Sequence, residues 1–99
     1  MKVLVFNGSP RRGGNTQVLL SAVAKGVESA GGEIEIIRLA DLSISPCQSC
    51  GGCDKTGICV VKDDMGLLYD KMDDVKRVIL ASPIYFYGVT AQAKAFVDR

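Results

Sequence analysis

The chain opens on an unbroken apolar run, Val3, Leu4, Val5 and Phe6, closed by Asn7 and Gly8. A run this short, with β-branched members and no polar alternation, predicts a strand covered on both faces. From about Gln17 to Ala30 the period changes. Leu20, Val23, Val27 and Ala30 recur at helical spacing, and Leu19 widens the stripe. Asn15 or Thr16 is suited to cap this helix, and Gly31 with Gly32 to end it. Between Ile34 and Leu39, apolar Ile34, Ile36 and Ile37 mix with Glu35 and Arg38, the polarity of a strand near a sheet edge. Asp63 and Asp64 suit a helix start, where the macrodipole favours acids, and Met65, Leu68 and Met72 then share one face. Val78, Ile79, Leu80 and Ala81 predict a third buried strand, ending at Ser82 and Pro83. An aromatic loop from Ile84 to Val89 leads into a last helix over Ala91 to Arg99.

Strands that alternate with helices and are themselves apolar imply an α/β fold with a parallel sheet covered on both faces. Right-handed crossovers allow a doubly wound sheet of strand order 2-1-3 with helices on opposite faces. The loops after strands one and three then leave the carboxyl ends of adjacent strands. That is the crevice where open α/β sheets bind ligands. The third strand is expected to be an open, apolar edge, which needs a partner. Residues 1–99 are therefore expected to be the N-terminal portion of one domain, completed by further chain or by another chain.

Composition narrows the field. The 99 residues are 47% hydrophobic and 23% charged, which is globular. A net charge of +1 offers no electrostatic pull toward nucleic acid or an anionic membrane. The first apolar run is too short for a signal peptide, and no 18-residue apolar stretch exists for a membrane span, so the expected location is cytoplasmic. There thiols stay reduced. With no histidine in the chain, Ser-His and Cys-His catalytic pairs and mixed Cys/His metal sites are excluded within it. No acid/base residue is assigned: Lys94 and Asp98, four apart on the last helix, read as a solvated ion pair.

Two loops carry candidate chemistry. Gly8, Ser9, Pro10, Arg11, Arg12, Gly13, Gly14, Asn15 and Thr16 join a buried strand to a helix start. Free amides and the helix dipole there favour an anion. Ser9, Asn15 and Thr16 can donate to phosphate oxygens, and Arg11 or Arg12 can add charge. Gly14 and Asn15 stand where a nucleotide P-loop requires Lys and Ser/Thr, so triphosphate hydrolysis is not expected. The second loop, from Ser82 to Thr90, holds Tyr85, Phe86 and Tyr87. Aromatics there serve either as core filling or as a platform for a flat ring such as a flavin. Pro83 stiffens the entry and Gly88 permits close backbone approach.

All four cysteines, Cys47, Cys50, Cys53 and Cys59, fall in one C-x2-C-x2-C-x5-C stretch with glycines between them. Four readings stay open: an iron–sulfur cluster, whose ferredoxin-type run the first three repeat; tetrahedral zinc; thiol–disulfide chemistry; and a reduced, unmetallated loop.

The G-S-P-R-x-G-x-N-T loop and the segment S-P-I-Y-F-Y-G-V-T-A-Q-x-K-A-F-x-D-R resemble those of the flavodoxin-like NAD(P)H-dependent FMN reductase family, and the cysteine pattern is similar to that of its iron–sulfur flavoprotein branch. The resemblance covers essentially the whole chain. It implies that Ser9, Arg11, Asn15 and Thr16 hold the FMN phosphate. It implies that Pro83, Ile84, Tyr85, Phe86 and Gly88 line the isoalloxazine ring, and that Cys47, Cys50, Cys53 and Cys59 ligate a [4Fe-4S] cluster. It further implies an oxidoreductase passing electrons between NAD(P)H, FMN and a small-molecule or protein partner, in a homodimer or homotetramer. The rivals are a metal-free FMN or quinone reductase, a non-catalytic electron carrier, and a half-domain that needs a partner chain.

Overall fold

The computed structural model describes residues 1–99. Strand β1 (Lys2–Asn7) lies between β2 (Glu33–Arg38) and β3 (Arg77–Ala81), all parallel, in the order β2-β1-β3. The expected 2-1-3 doubly wound α/β architecture is therefore present. In register, Val3 faces Ile34 and Arg77, while Asn7 faces Arg38 and Ala81.

Alternation along β1 divides the core. Val3 and Val5 point to one face, where Leu20 of α1 (Asn15–Ser29) covers them with Val27, Ile34 and Ile79. Leu4 and Phe6 point to the other, packing with Leu39, with Met65 and Leu68 of α2 (Met65–Asp73), and with Ala93 of α3 (Ala91–Asp98). Met72 packs against the same cluster, so the expected face of α2 is the buried one. Each of these core side chains contributes about 1.5–3 kcal/mol on removal from water, the alanine less. Phe96 of α3 stacks on Phe6 with ring centroids 4.3 Å apart.

Local signals account for most boundaries. Gly31, at φ 81°, reverses the chain after α1; its amide donates to Glu28 O and that of Gly32 to Val27 O. Left-handed backbone of this kind is open to glycine without a β-carbon clash. Two expectations need correction. Neither Asn15 nor Thr16 caps α1: the N-cap is Gly14, with no side-chain cap, and both residues lie in the first turn. The loop reaches the helix axis one residue early, at a glycine. β3 is also not buried. Val78 is 48% exposed and Leu80 39%, because this strand forms the free edge of the three-stranded sheet.

Candidate functional site

Loop one leaves β1 at its carboxyl end, where Asn7 is completely buried. Its Oδ1 accepts from the Ser9 amide at 2.9 Å, and its Nδ2 donates to Gln17 Oε1 at 3.3 Å. Ser9 is itself buried and its Oγ accepts from the Arg11 amide. The first turn of Asn15, Thr16 and Gln17 follows, with no cap and no acidic side chain. Its amides and helix dipole are left for an outside anion.

The two arginines divide their work. Arg12 pairs with Asp41 at 3.2 Å and is drawn toward the 3-10 turn Leu39–Asp41. Arg11 folds over the helix start: a β-carbon on Gly14 would stand 3.3 Å from its Cζ. Arg38, at the end of β2, props the loop by donating to Arg11 O at 3.0 Å and Pro10 O at 3.4 Å, and it also pairs with Asp41. Asn7, Gln17, Arg38 and Asp41 are thus supports that the sequence reading missed. Only Asn7 left a signal, as a polar residue ending a wholly apolar strand.

Loop three is stitched to loop one. The Gly8 amide donates to Ala81 O at 2.7 Å, and Thr90 Oγ1 donates to Gly8 O at 2.6 Å. Thr90 Oγ1 also accepts from the Ala93 amide, capping α3, while the Thr90 amide donates to Ser82 Oγ. A β-carbon on Gly8 would press to 2.9 Å from that of Ala93, so the approach of these elements requires glycine there. The roots of the two loops therefore share one end of the sheet.

Beyond these roots the loop forms a two-residue turn. Tyr85 and Gly88 exchange amide-to-carbonyl hydrogen bonds at 2.9 and 3.1 Å. The residues with positive φ are Phe86 (47°) and Tyr87 (66°), not Gly88. Gly88 closes the turn. Phe86 and Tyr87 are 95% and 96% exposed and touch each other, ring centroids 5.6 Å apart. Aromatics this exposed are not core filling. Left-handed backbone at bulky residues costs on the order of 1–3 kcal/mol each and clusters at functional sites. Ile84 is likewise exposed, Tyr85 roughly half so, and Pro83 partly buried.

The cysteine stretch is a long excursion between β2 and α2. Its neck is closed by two acids: the Ser43 amide donates to Asp64 Oδ2 at 2.7 Å and the Ser45 amide to Asp63 Oδ2 at 2.9 Å. Between the cysteines the chain turns at Ser49, Gly51 and Gly57, all at positive φ. Cys47, Cys50, Cys53 and Cys59 all line one hollow of about 330 Å³, with Arg99 in its wall. A second hollow of about 630 Å³ continues beneath it past Tyr69, Asp70 and Asp73. Neither of these two hollows is lined by loop one or loop three. No three of the cysteine and acidic side chains converge on one point as a single metal ion requires. The four thiols share a hollow without surrounding a point.

The donors present do fit a sulfur-rich anionic group. Arg99 Nε is the single buried side-chain nitrogen or oxygen without a partner, and it belongs to the wall of this hollow. The Arg99 guanidinium also lies against the Cys59 thiol, so a buried cation already faces sulfur here. The Cys59 thiol is held below its ordinary range, first by the Val61 amide and then, against some burial, by Arg99 and Tyr69. Asp63 is lowered to about 2, chiefly by its hydrogen bonds from Arg99, with the Ser45 and Met65 amides adding to the effect. Arg99 is raised above its ordinary value, chiefly by its hydrogen bonds to Asp63 and then, against some burial, by Cys59.

Comparison with known proteins agrees with the fold. An iron-sulfur flavoprotein of Archaeoglobus fulgidus is 42% identical over 99 residues, all of this chain and 45% of that protein. An iron-sulfur flavoprotein of Methanocaldococcus jannaschii is 41% identical over the whole chain and 51% of its own length. The chain thus spans about half the length of the curated relatives it matches. A solved flavone reductase superposes with a TM-score of 0.76 at 27% identity, over 100% of this chain and 29% of that one. The family model described as NADPH-dependent FMN reductase matches residues 1–99. On that match, together with the parallel 2-1-3 sheet, this chain belongs to the NADPH-dependent FMN reductase family.

Proposed function

We propose that the chain is the FMN-binding portion of an oxidoreductase that exchanges electrons with a [4Fe-4S] cluster held by its own cysteine loop. The observation that carries this reading is the stitching of loop one to loop three through Gly8, Ala81 and Thr90. It puts an uncapped helix N-terminus and an exposed aromatic turn at the same end of one sheet. Bound FMN would accept a hydride, two electrons, from NAD(P)H and exchange single electrons with a [4Fe-4S] cluster.

The residues have separable tasks. Ser9, Arg11, Asn15 and Thr16 bind the phosphate with neutral donors, one cation and the helix dipole. Arg38 and Asp41 keep loop one in place and hold Arg12 away. Pro83, Ile84, Tyr85, Phe86 and Gly88 meet the ring, with apolar side chains on its face and backbone amides at its polar edge. Cys47, Cys50, Cys53 and Cys59 would ligate the cluster, one thiolate to each iron, a set more widely spaced than tetrahedral zinc demands. That suits four thiols that share a hollow but not a point. Further partners fit the exposed β3 edge and the Phe86–Tyr87 turn, and a homodimer or homotetramer would cover them. No helix is long and apolar enough to cross a membrane.

One observation favours a second reading, the metal-free FMN or quinone reductase: three of the four cysteines are exposed and unpaired. The visible spectrum of protein purified without oxygen separates the two. Flavin bands with a broad iron–sulfur shoulder support the cluster reading. Flavin bands alone support the plain reductase. Protein that neither copurifies with FMN nor binds it when added overturns both.

A further inference from the structure

Arg99 stands at the end of α3, far along the chain from the cysteine loop, yet its side chain is 1% exposed. Its Nη1 donates to Ser45 O at 2.8 Å, on the chain entering the loop. Its Nη2 donates to Val61 O at 3.4 Å, on the chain leaving it. The same two nitrogens grip Asp63 at 2.7 and 3.1 Å, the fork geometry that only arginine offers a carboxylate. Asp63 passes the hold onward, accepting from the Ser45 amide and from the Met65 amide that begins α2. The Arg99 backbone is pinned as well, by the Tyr69 hydroxyl at 3.1 Å to its carbonyl. One guanidinium therefore joins both ends of the loop to α2 and α3, and Arg99 forms part of the wall of the sulfur-lined hollow.

We propose that Arg99 is the positioning residue of the cysteine loop: its guanidinium closes the neck at Ser45, Val61 and Asp63, so that Cys47 and Cys59 are held as one set with Cys50 and Cys53. The arrangement needs arginine. A lysine ammonium reaches one or two of these acceptors but not the carboxylate fork and both carbonyls together.

The inference rests on the cluster reading for what fills the site, but not for the clamp. Its test keeps the two apart. In the intact protein, Arg99→Gln and Arg99→Lys are compared with wild type in three measurements: trypsin cleavage at the exposed Lys55 and Lys62, iron bound after anaerobic incubation with ferrous iron and sulfide, and affinity for added FMN. Losing hydrogen bonds to charged groups is expected to speed loop cleavage in Arg99→Gln by on the order of tenfold or more. Arg99→Lys should fall between it and wild type. Iron uptake should drop in the same order, while FMN affinity stays near wild type because Thr90, not Arg99, ties loops one and three. If Arg99→Gln does not fold, Arg99→Lys decides by the same measurements. Wild-type cleavage rates in a folded variant overturn the clamp. Faster cleavage with no iron uptake even by wild type leaves the clamp standing and overturns the cluster reading instead.

Discussion

At the scale of single residues, the site is built from short polar groups whose partners are supplied by backbone. Thr16 lies in the first turn of α1, half-buried, where its hydroxyl can meet a phosphate oxygen. Thr16→Val keeps the shape and removes the donor. FMN binding should weaken by about 1–3 kcal/mol, read by fluorescence titration, and an unchanged Kd would remove Thr16 from the site. Asp63 makes a pH prediction with a definite sign. Its folded carboxyl titrates at about 2, below the ~3.9 of an unfolded aspartate. Its pairing with Arg99 therefore stabilises the fold fully above about pH 4 and is lost as pH falls toward 2. Urea midpoints of wild type and Asp63→Asn should differ near neutrality and draw together over that window. A gap that persists to about pH 2 would contradict the assignment. Cys50→Ser tests the ligand set: iron uptake should disappear while FMN affinity and secondary structure stay, and full iron content in the variant would refute the role of Cys50.

At the scale of elements, what matters is how the sheet's carboxyl end is laced. Thr90 caps α3 and reaches Gly8 O across 82 positions of sequence, so Thr90→Val removes a cap and leaves a buried carbonyl unmet. A loss of about 2 kcal/mol in unfolding free energy is expected, with weaker FMN binding. A stability loss without any change in FMN affinity would show that the stitch does not shape the site. The β3 edge makes the other prediction at this scale. Its exposed Val78 and Leu80 offer open backbone to another strand. The 99-residue chain should associate in sedimentation velocity, and Val78→Lys should shift it toward monomer. An unaltered distribution would place the contact elsewhere. The elements themselves were legible in sequence. The helix over Gln17–Ala30 is found over Asn15–Ser29, and the strand over Ile34–Leu39 over Glu33–Arg38. Periodicity and glycine act within a few residues, so they leave a local trace. The cap at Gly14 was missed because glycine, Asn15 and Thr16 are all acceptable near a helix start, and only loop geometry chooses among them.

For the whole molecule, two sites sit on one small core. The FMN-type loops share the carboxyl end of β1 and β3, while the cysteine hollow is held to α2 and α3 by Arg99. The chain alone determined the parallel α/β order, the βα loop that invites an anion, and the grouping of four thiols. Each of those follows from residues adjacent in sequence, where hydrophobic period, glycine freedom and cysteine spacing act directly. Tertiary structure alone decided which arginine reaches the helix start, which one braces loop one, and that Arg99 closes a loop beginning 54 positions earlier at Ser45. Such choices depend on groups brought together across the sheet. Burial makes an unpaired charge or carbonyl costly there, so the partner is set by three-dimensional proximity and leaves no mark in the local pattern.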